Sequence, residues 1–374
     1  MSKTTSKMTY EKSGVNIDVA DAAKKEMSKV VSVGSDRVLN RVGAFASVFD
    51  VHFPKMKHPV LVMKTEEPGS KQKLSIKHGK VEEICRDMIN HLTNDILVMG
   101  ATPLCVQDAI ICGKLQPEIV TRLVKGIAAA CKENGSVLTG GETSEQPNVV
   151  DAGTYILTSS IVGICEKDGV IDGSDIEAGD VVLSLASNGI HTNGYSFLRM
   201  MMSGDPSLEN TPIDGERFID VILKPHRSYY HALIDIFGSC KADGRNVETQ
   251  CANGGKIGSQ SIARSDLRGM AHITGGGLQG NLNRILPTGL DAEIDLSRID
   301  VLPIFKFIKK KTGADDLELL KTFNMGVGMA VVVKKGREKE FLRHFEQQGY
   351  DARVIGTIVP KGTQKVRFTN ALTY

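Results

Sequence analysis

Three clusters in which glycine stands beside polar side chains most constrain what this 374-residue chain can fold into. They read Thr139-Gly140-Gly141-Glu142-Thr143, Gly189-Ile190-His191-Thr192-Asn193-Gly194-Tyr195-Ser196 and His272-Ile273-Thr274-Gly275-Gly276-Gly277. Glycine permits backbone conformations and close approaches that other residues exclude, so ligand oxygens can reach backbone N–H groups there. A stretch that only had to turn would not need an imidazole, a hydroxyl and a carboxamide side by side. Together the clusters point to an anionic ligand or a polar heterocycle, held by loops that a regular framework must position.

The segments between the clusters supply that framework. Val60–Met63 predicts a strand running into a polar loop, Thr65 to Lys71. Ile84, Met88 and Leu92 recur every four residues, with Cys85 and Ile89 alongside, which predicts a helix ending near Asn94 and Asp95. A second helix fits 117–134, with Pro117 in its first turn and Gly135 to end it. Val137-Leu138 predicts a short strand that delivers Gly140–Glu142 to a strand end. Tyr155–Cys165 and Asp180–Ala186 predict further strands, the second leading straight into the His191 cluster. The chain closes with a strand over 328–333, a helix over 338–348 and a strand over 352–359. Turn-rich text at Glu166–Gly179 marks a domain boundary, giving domains 10–168 and 169–374. Residues 1–9 are expected to be disordered, and 241–266 reads as a polar, glycine-rich inserted loop. Two domains suit the length, because one core seldom keeps growing past ~250–300 residues.

Charge and composition exclude several classes. The formal net charge is only +2, so no basic face points to nucleic acid. No apolar run approaches the ~20 residues of a membrane span, and Met1 to Gly14 lack an apolar signal core. The expectation is a cytoplasmic protein with no membrane partner, with buried reduced thiols at Cys85, Cys105, Cys112, Cys131 and Cys165. Magnesium–nucleotide sites use one or two carboxylates plus the phosphates, which makes Asp95, Glu142 and Glu66 the candidate ligands. No G-x-x-x-x-G-K-[ST] phosphate loop is present. Gly275–Gly280 satisfies G-x-G-x-x-G, but Arg268–Thr274 reads as a poor buried strand, which argues against a dinucleotide fold. His191, with an ordinary pKa near 6.5, suits proton transfer; a turn histidine bonded to a neighbouring carbonyl is the alternative. His272 reads as a structural residue that positions the glycine run behind it.

In this order the motifs resemble the phosphoribosylformylglycinamidine cyclo-ligase (AIR synthetase) family. Tyr10–Asp18 (YEKSGVNID) resembles its Y-x-x-A-G-V-D-I opening, and Asn94–Leu104 (NDILVMGATPL) its N-D-[IL]-x-x-x-G-A-x-P-L. Gly113-Lys114-Leu115, Gly140–Pro147 (GGETSEQP), Ile171–Ser174 (IDGS), the His191 loop, His272–Gly277 and Phe323–Met329 (FNMGVGM) follow as that family has them. The resemblance implies an α+β protein of two mixed α/β domains. N-terminal strands of a homodimer would close a barrel, and the C-terminal domain would form an α/β sandwich-like layer. It implies ATP-dependent cyclisation of formylglycinamidine ribonucleotide, a small nucleotide substrate, with magnesium. Carried over by position, His191 and Asp95 would be catalytic. Gly43, Glu66, Lys71, Asn94, Asp95, Gly140, Gly141 and Glu142 would hold ATP, with Lys71 offering an ammonium to phosphate and Asp95, Glu142 and Glu66 holding the metal. His191, Thr192, Asn193, Gly194, Thr274, Gly275, Gly276 and Gly277 would face the substrate. Two departures fall on nucleotide-side loops. The family's T-D-G-V-G-T-K is here Thr65-Glu66-Glu67-Pro68-Gly69-Ser70-Lys71, and its G-G-F-G is Gly43-Ala44-Phe45-Ala46. A related phosphotransferase, such as a thiamine-phosphate kinase or selenophosphate synthetase, and a catalytically degenerate nucleotide-binding homologue stay open as alternatives.

Overall fold

Strict alternation of covered and exposed side chains sets the first strand, β1 (Pro59–Glu66), and fixes which of its faces packs inward. It belongs to a computed structural model that describes residues 26, 28, 29, 31, 35–40, 43–237 and 262–374. Residues 1–9, the Tyr10–Asp18 motif and positions 241–261 of the insertion lie outside the described residues. After β1 come α1 (Lys71–Lys77), α2 (Val81–Leu97), β2 (Thr102–Cys112), α3 (Pro117–Glu133), β3 (Val137–Glu145) and β4 (Tyr155–Glu166). The sheet order is β1-β4-β2-β3, with β3 parallel to β2 and the other pairs antiparallel. A parallel neighbour requires a crossover, and α3 provides it. Ile84, Cys85, Met88, Ile89 and Leu92 of α2 pack with Val120, Leu123, Ile127 and Cys131 of α3 against one face of the sheet. On the other face Leu61, Met63 and Ile156 are 50%, 71% and 37% exposed, a hydrophobic surface uncovered among the described residues.

Three sequence expectations change here. Thr65 and Glu66 continue β1 rather than opening a loop. Strand β2, which local pattern does not mark, is one of the two inner strands of the sheet. Strand β3 runs on to Glu145, so Gly140–Glu142 lie within an edge strand and not past its end. The register slips between Val106 and Gln107, which leaves Thr139 bulged ahead of the glycines. A Cβ at Gly141 would collide with the Asp108 side chain, so this glycine makes room for a carboxyl group.

The remaining elements form a six-stranded sheet. They are β5 (Val181–Ala186), α4 (Tyr195–Gly204), the short pair β6 (Pro212–Ile213) and β7 (Glu216–Arg217), α5 (Phe218–Ile222) and α6 (Tyr230–Leu233). Then follow β8 (Leu267–His272), α7 (Gly277–Leu282), β9 (Leu290–Asp295), α8 (Pro303–Thr312), α9 (Asp316–Thr322), β10 (Val327–Val333), α10 (Glu338–Gln347), β11 (Ala352–Pro360) and β12 (Val366–Thr369). The order is β12-β9-β11-β5-β10-β8, antiparallel except for β12 beside β9. Every residue of β10 is buried because both faces of this sheet are covered. Ala330 and Val332 pack with Leu198, Leu278 and Phe305, while Met329 and Val331 pack with Leu233, Phe341 and Phe345.

Strand β8 is buried despite its short, polar-flanked sequence, because β10 pairs with it along its length. That pairing is antiparallel, so the Gly275–Gly280 run does not sit in a parallel β-α-β unit and the dinucleotide reading is excluded. Gly276 and Gly277 serve the turn into α7. Gly277 has φ +62°, and a Cβ there would strike the Leu320 carbonyl of α9. The two sheets meet through the C-terminal half of α2, whose polar face looks toward the segment 224–229 and the ends of β8 and β5.

Candidate active site

Asp87, Asn90, His91, Asn94 and Asp95 recur at three- and four-residue spacing on α2, so they form one polar stripe opposite the helix's apolar face. Its deepest member is an ion pair. Lys71 Nζ lies 2.7 Å from Asp87 Oδ1 and donates to the carbonyls of His191 (3.2 Å) and Lys224 (2.6 Å). Asp87 Oδ1 also accepts from the His226 backbone N–H at 2.8 Å. All three ammonium hydrogens are thus used and Lys71, expected from sequence to offer its charge to phosphate, is fully buried. Burial lowers Lys71 from its ordinary value and pushes Asp87 up to about 6. Asn94 is placed in a similar way. It is buried, donates to the Arg227 carbonyl at 2.9 Å and accepts from the Tyr229 N–H at 2.9 Å, joining the two halves.

Four of the nine histidines pack together above this pair. The rings of His191 and His226 stack at 4.0 Å between centroids, and His226 and His91 lie 4.9 Å and 5.1 Å from His272. His191 is only 1% exposed and its Nε2 is 3.1 Å from Asn188 Oδ1. Its backbone turns through φ +62° and its ring is turned onto His226, away from the clefts described below. His191, expected from sequence to face substrate, accepts a hydrogen bond from Lys71 at its carbonyl. Burial holds His191 and His226 well below the ordinary imidazole value and lowers His91 to about 4.

His272, read from sequence as structural, meets Asp95 instead. Its Nδ1 is 2.7 Å from Asp95 Oδ1, and its Nε2 is 2.8 Å from His226 Nε2 and 3.4 Å from Asn94 Nδ2. Asp95 Oδ2 lies 3.1 Å from Lys64 Nζ and 3.7 Å from His91 Nε2. Glu66 Oε2 lies 3.0 Å from the same ammonium and 3.9 Å from the same imidazole nitrogen. Burial alone would raise Asp95, but the His272 hydrogen bond and the surrounding positive charge outweigh it and hold the carboxyl well below its usual range. Burial also works against the Lys64 charge, and its Glu66 and Asp95 partners outweigh that, raising it.

These groups open onto a cleft of about 570 Å³ that Asn193, Thr274, Gly275 and Arg284 also line. Asn193 Nδ2 is buried and has no hydrogen-bond partner. An adjoining cleft of about 500 Å³ brings together Thr192, Asn193, Gly194 and Ser70. Gly276 and Gly277 line neither. Gly43, Gly140, Gly141 and Glu142 line a third cleft of about 540 Å³, with Ser47 and Asp108, whose carboxyl burial pushes up to about 7. Glu142 therefore does not share a cation with Asp95 and Glu66 within one chain. Glu66 on β1 and Glu142 on β3 occupy opposite edges of the sheet, three strand spacings or roughly 14 Å apart.

Sequence reasoning missed Lys64, His91 and His226. Helical spacing could have found His91, one turn before Asp95, and strand alternation could have found Lys64, on the Glu66 side of β1. Nothing local marks His226. Among the described residues no helix is long and apolar enough to cross a membrane.

Two sheets bridged by a polar helix face, with carboxylates and imidazoles at a cleft, define a mixed α/β protein. The family description "AIR synthase related protein" matches twice, its N-terminal domain over residues 46–165 and its C-terminal domain over 257–369. A phosphoribosylformylglycinamidine cyclo-ligase of Nitrosococcus oceani is 35% identical over 366 residues, covering 97% of this chain and 95% of the relative. The chain belongs to the phosphoribosylformylglycinamidine cyclo-ligase family. In fold it is similar to a thiamine-monophosphate kinase from Stenotrophomonas maltophilia (TM-score 0.57, 15% identity, 95% and 96% of the two chains). It is also similar to the hydrogenase maturation protein HypE in complex with ATP (TM-score 0.61, 16% identity, 95% and 92%).

Two outcomes test this geometry. Lys71→Met leaves a carboxylate buried alone and is expected to cost about 3 kcal/mol in urea unfolding. Nucleotide affinity of the folded variant should stay unchanged; lost affinity at full stability would return Lys71 to the phosphates. The second outcome is pH dependence. On unfolding, His91, His191 and His226 return to about 6.5 and take up protons, while Asp87 returns to about 3.9 and releases one. The histidines win, so stability should fall as pH drops from about 6.5 towards 5, with roughly two protons bound per chain on unfolding near pH 5.5. A urea midpoint that holds or rises between pH 7 and 5 would contradict the burial of His91, His191 and His226 as neutral rings.

Proposed function

We propose that this chain catalyses ATP-dependent ring closure of formylglycinamidine ribonucleotide to aminoimidazole ribonucleotide, acting as a cytoplasmic homodimer. The observation that carries the reading is Asp95, held ionised by His272 at the 570 Å³ cleft beside Glu66 and Lys64. The chemistry needs such a place. An amide oxygen leaves poorly, so ATP first phosphorylates the formamide oxygen; the ring nitrogen-to-be then attacks that carbon and phosphate departs, leaving ADP, phosphate and the imidazole. Catalysis of phosphoryl transfer is mostly positioning and charge neutralisation. Lys64 brings an ammonium to the phosphoryl oxygens, Asn193 offers its unpartnered N–H to the substrate, and Gly275 lets the substrate approach the main chain. Asp95 keeps its negative charge, and the imidazole behind it fixes its orientation, as a buried partner orients a catalytic group in hydrolase triads.

Two carboxylates suit magnesium, which keeps several waters and takes the rest of its shell from phosphates. Asp95 and Glu66 would hold it, and it would neutralise charge on the transferring phosphoryl group. Gly43, Gly140, Gly141 and Glu142 are the proposed nucleotide contacts. They lie on and beside edge strand β3, where one row of main-chain donors has no neighbouring strand to bond. The uncovered face carrying Leu61, Met63 and Ile156 is the proposed dimer surface, where two four-stranded sheets would close on one another.

Purified protein should release ADP in the presence of formylglycinamidine ribonucleotide and form the aminoimidazole product. Asp95→Asn should lower kcat by about 100-fold or more. ADP release with thiamine phosphate instead would move the protein to the kinase branch of the fold. For the assembly, Met63→Lys should convert a dimer into a monomer by light scattering while far-ultraviolet circular dichroism is retained. A variant that remains dimeric would remove this face from the interface.

A further inference from the structure

The magnesium reading uses oxygen donors only and leaves His91 without a task. His91 Nε2, the Asp95 carboxylate and His272 Nδ1 present three ligand atoms within 4.8 Å of one another. Both imidazoles are already aimed by bonds on their far nitrogens. His91 Nδ1 lies 3.2 Å from Thr192 Oγ1, and His272 Nε2 lies 2.8 Å from His226 Nε2. His226 Nδ1 in turn lies 3.4 Å from the same Thr192 oxygen. Metal-binding histidines characteristically have the second nitrogen held in this way, which fixes ring orientation and tautomer. One hydroxyl thus braces both rings, directly for His91 and through His226 for His272.

We infer that His91, Asp95 and His272 form a seat for a divalent transition metal (manganese, cobalt or zinc), distinct in ligand chemistry from the magnesium that accompanies nucleotide phosphates. Two nitrogens and one carboxylate are a borderline-metal set, and hard magnesium gains little from imidazole. Three protein ligands leave coordination positions open toward the cleft, as at sites where a metal meets solvent or substrate. Without metal, the Lys64 ammonium bridges Asp95 and Glu66, 3.1 Å and 3.0 Å from their oxygens, and supplies the positive charge. When a cation enters, Lys64 withdraws from Asp95. The His272 proton then moves off Nδ1, and Nε2–H donates to His226 Nε2, with His226 carrying its own proton on Nδ1 toward Thr192. The change is a tautomer exchange across the pair, with no net gain or loss of protons. The inference does not rest on the cyclo-ligase reading, since it concerns the apoprotein without nucleotide.

The test is titration of the metal-free full chain with Co²⁺, followed by its d–d absorption, in the presence of excess Mg²⁺ and then with Zn²⁺ as competitor. One equivalent should bind, resist magnesium and yield to zinc. Cobalt-shifted proton spectra should show two exchangeable imidazole N–H signals, one for each bracing bond. His91→Gln and His272→Gln should abolish the stoichiometric site, while His58→Gln, an exposed histidine outside the cluster, should retain it. Thr192→Val, which keeps every ligand, should weaken binding by about 10-fold. Absence of a one-equivalent site in the wild type, or its persistence in folded His91→Gln and His272→Gln proteins, overturns the inference. Should those two variants fail to fold, wild-type spectra lacking both N–H signals overturn it equally.

Discussion

The Lys71–Asp87 ion pair is the contact on which the arrangement of the cleft depends. It sits in the dry space between a helix of the first sheet and the His191 and Lys224 turns of the second. Removing two charges from water costs several kcal/mol for each ion, and mutual attraction offsets that only when the remaining hydrogen bonds are made. Here Lys71 makes all three and Asp87 Oδ1 takes a further backbone N–H from His226, whereas the buried Asp87 Oδ2 has no hydrogen-bond partner. The pair therefore adds less to net stability than to specificity: the two halves can meet in few other registers without stranding a buried charge. Asn90 and Asn94 extend the same logic along α2 by bonding the main chain at His226, Arg227 and Tyr229.

That docking creates the site. Asp95 comes from α2 and β1 supplies Lys64 and Glu66, whereas His272 ends β8 and Asn193 lies in the turn after β5. Neither half alone holds Asp95 between its two charge partners. Burial disfavours the charged forms of His91, His191 and His226, so these three rings orient groups without adding positive charge to the interior. The charge the carboxylates need comes from Lys64 at the cleft, where a ligand can displace it. Glu66, where the chain departs from the family motif, meets Lys64 at 3.0 Å.

Much of the framework could be read from periodicity. The helices at 81–97 and 117–133 and the strands at 155–166, 181–186 and 352–360 follow from local spacing. Strand β2 escaped because its stretch mixes proline, glutamine and aspartate with apolar residues, and only pairing on both sides makes it a strand. Strand β8 escaped for a similar reason. At the site, Asp95, Glu66, Asn193, Thr274 and Gly275 line one cleft, whereas Lys71, Asn94 and His191 are buried and bond to the main chain or to buried side chains. Their polarity was legible; the direction of their side chains was not, because a group that binds phosphate and a group that satisfies a buried carbonyl have the same chemistry.

The sequence by itself determined which segments carry polar function, the family, and the period-two and period-3.6 patterns that place apolar side chains on one face of each element. Those properties are local, set by neighbours a few positions apart. Only the tertiary structure decided which histidine meets Asp95, since His272 stands 177 positions further along the chain. It also decided that Glu66 and Glu142 lie on opposite edges of one sheet. Long-range distances arise from strand order and from helix docking, and those are settled by whole-sheet pairing and burial of charge, which no short window of residues contains.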